Sequence, residues 1–332
     1  MSYTSESILR EDVKEKDIQG LIELLGYKFV GSWDGQELGK VKDYFWFDNS
    51  DYKSINGVEL SYFRQDNKWW VSTRSTVSRS YYDLIHQNKT IRFLKKYFGG
   101  QFRTDEGKGR YLQAESEPPE PASIGCHIAF QNFGSNLIRA RQYFDNRTFK
   151  HEQTTAKVLW MDLFNPRLVS NNLILPFLVS ISEDYWKSTY VALLKYSENK
   201  EFILKSSKIS ADRLMQISNG ELNVEQAFAD SMSFARISIV CRHFKELGVD
   251  FASTLRKPYR KRKVNLFDSL ETMTDNRNVI IHEASKPLIL DDNYIKDSFN
   301  VLHDSIERCY KELTKQKKWT FDKGWAAGGR LK

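Results

Sequence analysis

The stretch that most constrains this chain is Glu115-Ser116-Glu117-Pro118-Pro119-Glu120-Pro121, which holds three of the seven prolines. Proline fixes its own φ and offers no N–H, so this run can continue neither a helix nor a sheet ladder. It reads as an extended, stiff linker. On either side the hydrophobic period differs, and 332 residues leave room for a core in each part. The expected layout is a small α+β domain over residues 1–114, the linker over 115–121, a connecting segment over 122–165 and a helical domain over 166–332.

Ahead of the linker, residues 17–25 read as a short helix stopped by Gly26. Residues 41–47, 58–63 and 69–73 read as strands, the last two joined through Arg64-Gln65-Asp66-Asn67-Lys68 as a hairpin. Residues 81–98 form a second helix closed by Gly99-Gly100. The order is helix, three strands, helix. Within the connecting segment, residues 124–130 fit a strand and 132–143 a helix. Beyond it, residues 176–195 are apolar nearly all round, which suits a central helix with Pro176 in its first turn. Further helices are expected over 209–217, 224–247, 265–283 and 293–317.

The helix over 265–283 contains Asp275-Asn276-Arg277-Asn278-Val279-Ile280-Ile281-His282-Glu283. At about 100° per residue, Leu266, Leu270, Met273, Ile280 and Ile281 all fall within roughly 60° of Arg277. The arginine therefore stands in the apolar stripe, where a cation is costly unless something uses it. Two readings follow: it snorkels or pairs with a buried acid, or it serves a ligand. His282 lies about 140° away, sharing a face with Asn278 at i, i+4. One helix cannot easily aim Arg277 and His282 at one phosphate, whereas two copies packed across it would set four such groups around one cleft.

The spacing Arg277-Asn278-Val279-Ile280-Ile281-His282 resembles the signature of the HEPN family: arginine, a polar residue, an apolar filler, then histidine, late in an all-α bundle. The resemblance covers residues 166–317 and implies an all-α HEPN-like bundle. It also implies a dimeric, metal-independent endoribonuclease. In that chemistry the RNA 2′-hydroxyl attacks the adjacent phosphorus and leaves a 2′,3′-cyclic phosphate and a 5′-hydroxyl. His282 would move the proton, Arg277 would hold the charge growing on phosphate oxygen, and Asn278 would bind phosphate or fix the imidazole. An acid of the central helix would orient Arg277. The resemblance favours Glu183, with Asp184 close behind and both able to face solvent instead. Glu283 reads as solvated rather than catalytic.

Just before this helix, Arg256-Lys257-Pro258-Tyr259-Arg260-Lys261-Arg262-Lys263 holds six bases and no acid. Such a run is either a solvated loop or, beside an RNA-cleaving helix, a phosphate-binding one in which Tyr259 stacks on a base. The formal net charge of +7 suits a polyanionic partner. In the N-terminal part, Trp69-Trp70 with Arg64, Lys68, Arg74 and Arg79 either pack on the two helices or form a nucleic-acid platform. That part also loosely resembles, in topology, double-stranded-RNA-binding and TATA-binding-protein-like units, and the order of domains resembles RNase LS-type toxins. An antitoxin or a phage-derived trigger is its other candidate partner.

No apolar run reaches membrane-span length and residues 1–15 hold no signal-peptide core. Cys126, Cys241 and Cys309 have neither disulfide nor zinc spacing, so a reducing cytoplasm is the expected compartment. The remaining histidines, His86, His127, His151, His243 and His303, do not cluster as metal ligands. No phosphate-loop, dinucleotide or serine-hydrolase motif is present, and no metal or cofactor is expected.

Overall fold

The structure is a computed structural model that describes residues 2–35, 39–48, 51–77, 79–114, 117–148, 165–205, 209–260, 262–282 and 290–321. Glu115 and Ser116 of the linker, most of 149–165, His151, Lys261 and Glu283 lie outside the described residues. The chain divides into two compact units, Met1–Ile124 and Gly125–Lys332. Among the described residues no helix is long and apolar enough to cross a membrane.

The first unit is an antiparallel sheet of seven strands, ordered β2-β3-β4-β5-β1-β6-β7. The strands are β1 (Tyr3–Ile8), β2 (Lys28–Gly35), β3 (Gly39–Trp46), β4 (Val58–Gln65), β5 (Lys68–Ser75), β6 (Gln101–Thr104) and β7 (Gly107–Lys108). Helices α1 (Glu15–Leu24) and α2 (Tyr81–Phe98) supply Ile18, Ile22, Leu94 and Phe98 to one core with Tyr44, Leu60, Tyr62, Trp69 and Val71. The β4–β5 turn is Asp66-Asn67, both at positive φ (51° and 61°), as a tight two-residue hairpin with right-handed strand twist requires.

The expected three strands are thus too few. β1, which β5 and β6 flank, escapes a hydrophobic reading because its helix-facing residues are Ser5 and Ser7. Both are buried though polar, and Ser5 finds a hydrogen-bond partner there. Ser5 Oγ lies 2.6 Å from Thr73 Oγ1, and Gln87 of α2 donates to the Thr73 and Tyr3 carbonyls while accepting from Ser75 Oγ. A fully hydrogen-bonded polar layer can be buried at little cost. Side-chain alternation sends Trp69 into the core and Trp70 to the opposite face, where it stacks on Phe63.

In the second unit, helix α3 (Pro121–Asn146) replaces the strand and helix expected over 124–143; the unit boundary falls in its first turn. The remaining helices are α4 (Pro166–Lys195), α5 (Lys200–Lys205), α6 (Ala211–Ser218), α7 (Val224–Asp230), α8 (Ile237–Glu246), α9 (Phe251–Arg256), α10 (Leu266–His282) and α11 (Asp292–Lys317). α4 is the central helix and packs against α7, α8, α10 and α11. Pro176 lies inside it rather than in its first turn, which is taken by Pro166 behind an Asn165 cap. The single helix expected over 224–247 is two, α7 and α8. Ser231 turns its hydroxyl back onto the Phe228 carbonyl and ends the first.

Three chain segments meet at Asp292, the first residue of α11. Arg147 Nη2 reaches its Oδ1 at 2.5 Å, Arg167 Nε its Oδ2 at 2.7 Å, and Asn171 donates to it at 3.0 Å. Burial alone would push this carboxyl up. The hydrogen bonds from Arg167 and Asn171 and the Arg147 charge hold it below the usual carboxylate value instead.

Candidate active site

Burial along α10 falls from one end to the other. Leu266, Phe267, Leu270, Met273 and Thr274 are buried, residues 276–280 are half-buried, and Ile281 and His282 are exposed. Arg277 sits where the helix leaves the core. Its stripe is apolar on the core side, as the helical wheel requires, but the arginine is only half enclosed.

Arg277 Nη1 donates to Asn278 Oδ1 at 3.0 Å, and Arg277 Nε is a buried donor with no acceptor. Glu183 of α4 is half-buried, and its Oε1 also lacks a partner. Burial pushes the Glu183 carboxyl up, and the charge of Arg277 draws it back down. The two groups therefore sense each other, although no ion pair joins them among the described residues. Asp184, one residue on, is exposed. The arrangement is an arginine with two unspent valences: a guanidinium N–H, and a nearby carboxylate that does not close on it.

His282 is the last described residue of α10 and is exposed. Asn278 bonds to Arg277, so Arg277, Asn278 and Glu183 are brought together while His282 stands apart on its own helix face. That face also carries Glu271 and Asp275, held by Arg236 at 3.0 and 2.6 Å. Arg236 was not among the residues singled out from sequence. Its acid partners, four apart on the motif helix, are legible there, but their cation comes from the start of α8.

The basic run is more committed than a phosphate-binding loop would be. Arg260 Nη1 lies 3.4 Å from Asp304, and Arg262 lies 3.0 Å from Asp297 and 3.9 Å from Asp304. Asp304 is fully buried in α11. Arg260 and Arg308 both stand over the Tyr259 ring, at 5.0 and 5.1 Å. Arg256 covers Phe267 at 4.3 Å, and the Lys257 carbonyl accepts from Arg308. Lys257 and Lys263 remain exposed. The six bases are therefore not one uniform cationic surface, since Arg260 and Arg262 pin the loop to α11.

On α4, Val169, Leu173 and Phe177 follow one another at i, i+4, i+8 and are 44, 68 and 52% exposed. A stripe at that spacing is one helix face. No protein-family model matches the chain, and neither a curated protein nor a solved structure is detectably similar to it.

Proposed function

We propose that this chain is a metal-independent endoribonuclease of HEPN type, acting as a homodimer and used as a toxin or anti-phage effector. The observation that carries the reading is the half-enclosed Arg277, with Asn278 against it, Glu183 within reach of its charge and its Nε unspent. A guanidinium that no carboxylate has closed on can take a phosphate oxygen, which would accept a charge-assisted bond from it. As the 2′-hydroxyl attacks, negative charge grows on the non-bridging oxygens and Arg277 stabilises it. An imidazole trades protons near neutral pH, and His282 takes the 2′-hydroxyl proton or delivers one to the 5′-oxygen. Glu183, near enough to feel the Arg277 charge, would orient the arginine by closing on it when substrate is bound.

The divergence of Arg277 and His282 favours a cleft assembled from two copies, and the uncovered stripe Val169, Leu173 and Phe177 offers the apolar face that such pairing needs. The same divergence within one copy is also what a non-catalytic RNA-binding or regulatory module would show. Purified protein incubated with mixed RNA separates the two. Wild type is expected to leave 2′,3′-cyclic phosphate ends, and Arg277→Ala and His282→Ala to lose at least about a hundredfold in rate. Equal cleavage by all three proteins, or none by wild type, removes the catalytic reading.

A further inference from the structure

Between α10 and α11 lies a cleft of about 330 Å³ on the side of the motif helix away from His282. It is lined by Thr272 and Met273 of α10, by Tyr294, Asp297 and Val301 of α11, and by Arg262, Lys263 and Val264 just ahead of α10. Arg262 turns both its Nη groups to Asp297. Lys263 is exposed, and among the described residues no carboxylate pairs with it. The Tyr294 hydroxyl accepts from Asn276 at 2.7 Å, which leaves its own proton to give. Met273 and Val301 are its buried apolar lining. Asp297 is the one acid among the lining residues, and it faces Arg262 at 3.0 Å.

We propose that this cleft binds one nucleotide of an RNA strand, its phosphate on Lys263 and Tyr294 and its base against Met273 and Val301. The proposal rests on the ribonuclease reading for its substrate class. Two uncommitted donors, the Lys263 ammonium and the Tyr294 hydroxyl, suit a phosphate, which only accepts. Asp297 can accept from a ribose hydroxyl or an exocyclic amine. The volume lies at the lower end of small-molecule sites, which fits one nucleotide and excludes two. The cleft also ends one helical turn, about 6 Å, before Arg277. A strand held here would therefore pass the arginine within a nucleotide or so.

The test uses the full chain and measures binding, not cleavage. The four ribonucleoside 5′-monophosphates, the nucleosides and inorganic phosphate are titrated by calorimetry or ligand-observed NMR. Displacement by an RNA methylated at every 2′-oxygen, which cannot be cut, is then measured. At least one monophosphate is expected to bind at least tenfold tighter than its nucleoside or phosphate. Thr272→Trp, which fills the cleft from an exposed position, and Lys263→Glu should each weaken it tenfold or more with unchanged circular dichroism. The methylated RNA should displace the nucleotide. Binding no tighter than that of phosphate, or binding unaffected by Thr272→Trp, overturns the site. Nucleotide binding that the RNA cannot displace overturns its assignment to a strand. Because no step requires cleavage, an inactive enzyme leaves this result standing, and an empty cleft leaves the catalytic reading untouched.

Discussion

His86 shows how far one side chain's surroundings can move its chemistry. It is buried in α2, lies flat on Trp46 with ring centroids 3.7 Å apart, and its Nε2 has no partner. Burial, aided by the Lys89 charge, lowers its pKa to about 3. The unfolded chain, with an ordinary value of about 6.5, takes up a proton first as the pH falls. Stability is therefore complete above about pH 6.5 and declines from there down to about pH 3, by up to about 1.4 kcal/mol per pH unit. In His86→Phe, which keeps the stack and removes the titration, the urea midpoint of the first unit should lose most of its pH dependence between those limits. A slope equal to wild type would assign the acid sensitivity elsewhere. At this scale the sequence speaks clearly of residue type and poorly of surroundings. Arg277 on an apolar stripe was legible from spacing alone. Its bond to Asn278 is to a chain neighbour, but its distance from a closed ion pair depends on α4, more than eighty residues earlier, and no local pattern encodes it.

Elements were legible where the apolar period carries the burial, as in the second half of α4 and in α11, and illegible where hydrogen bonds do. β1 went unread because two serines fill its inner face, and the break between α7 and α8 went unread because a serine hydroxyl ends a helix that the apolar pattern would continue. The start of α2 depends on the same kind of contact. Ser80 Oγ accepts from the Asp83 N–H at 3.0 Å, and the Asp83 carboxylate, fully buried, accepts from the N–H groups of Ser80, Ile55 and Asn56 and from the Ser54 hydroxyl. One box thus caps the helix and fastens the loop ahead of β4. Ser80→Ala should cost about 1–2 kcal/mol, read as a lower thermal midpoint of the first unit. A change within error would mean that Asp83 alone holds the junction.

For the molecule as a whole, the open question is whether the cleft belongs to one chain or two, and mixing variants answers it. Arg277→Ala and His282→Ala, each inactive alone, are unfolded together and refolded so that subunits exchange. If each cleft takes its arginine from one copy and its histidine from the other, about a quarter of wild-type cleavage should return, because half the dimers are mixed and each keeps one complete cleft. No recovery, with exchange confirmed by mass, would place both groups within a single chain. Here too the sequence was informative in part. The 140° divergence on the wheel pointed to two copies, while the apolar stripe on α4 emerged only once its other faces were seen to be filled.

The junction at Asp292 also orders events in time. Its carboxylate answers Arg147 and Arg167, residues made well over a hundred positions earlier. During synthesis, at roughly 5–20 residues per second, the nascent bundle waits several seconds between the first arginine and the acid that joins it to the second. Contacts so distant along the chain close late and slowly. The first unit waits less long, since its most distant strand pairing joins Ser5 to Thr104. The helix bearing Arg277 emerges before α11 and so before the junction closes. Were the chain the nuclease proposed, it would stay unassembled at the ribosome, among the RNA it could cut, until nearly its whole helical half had been translated.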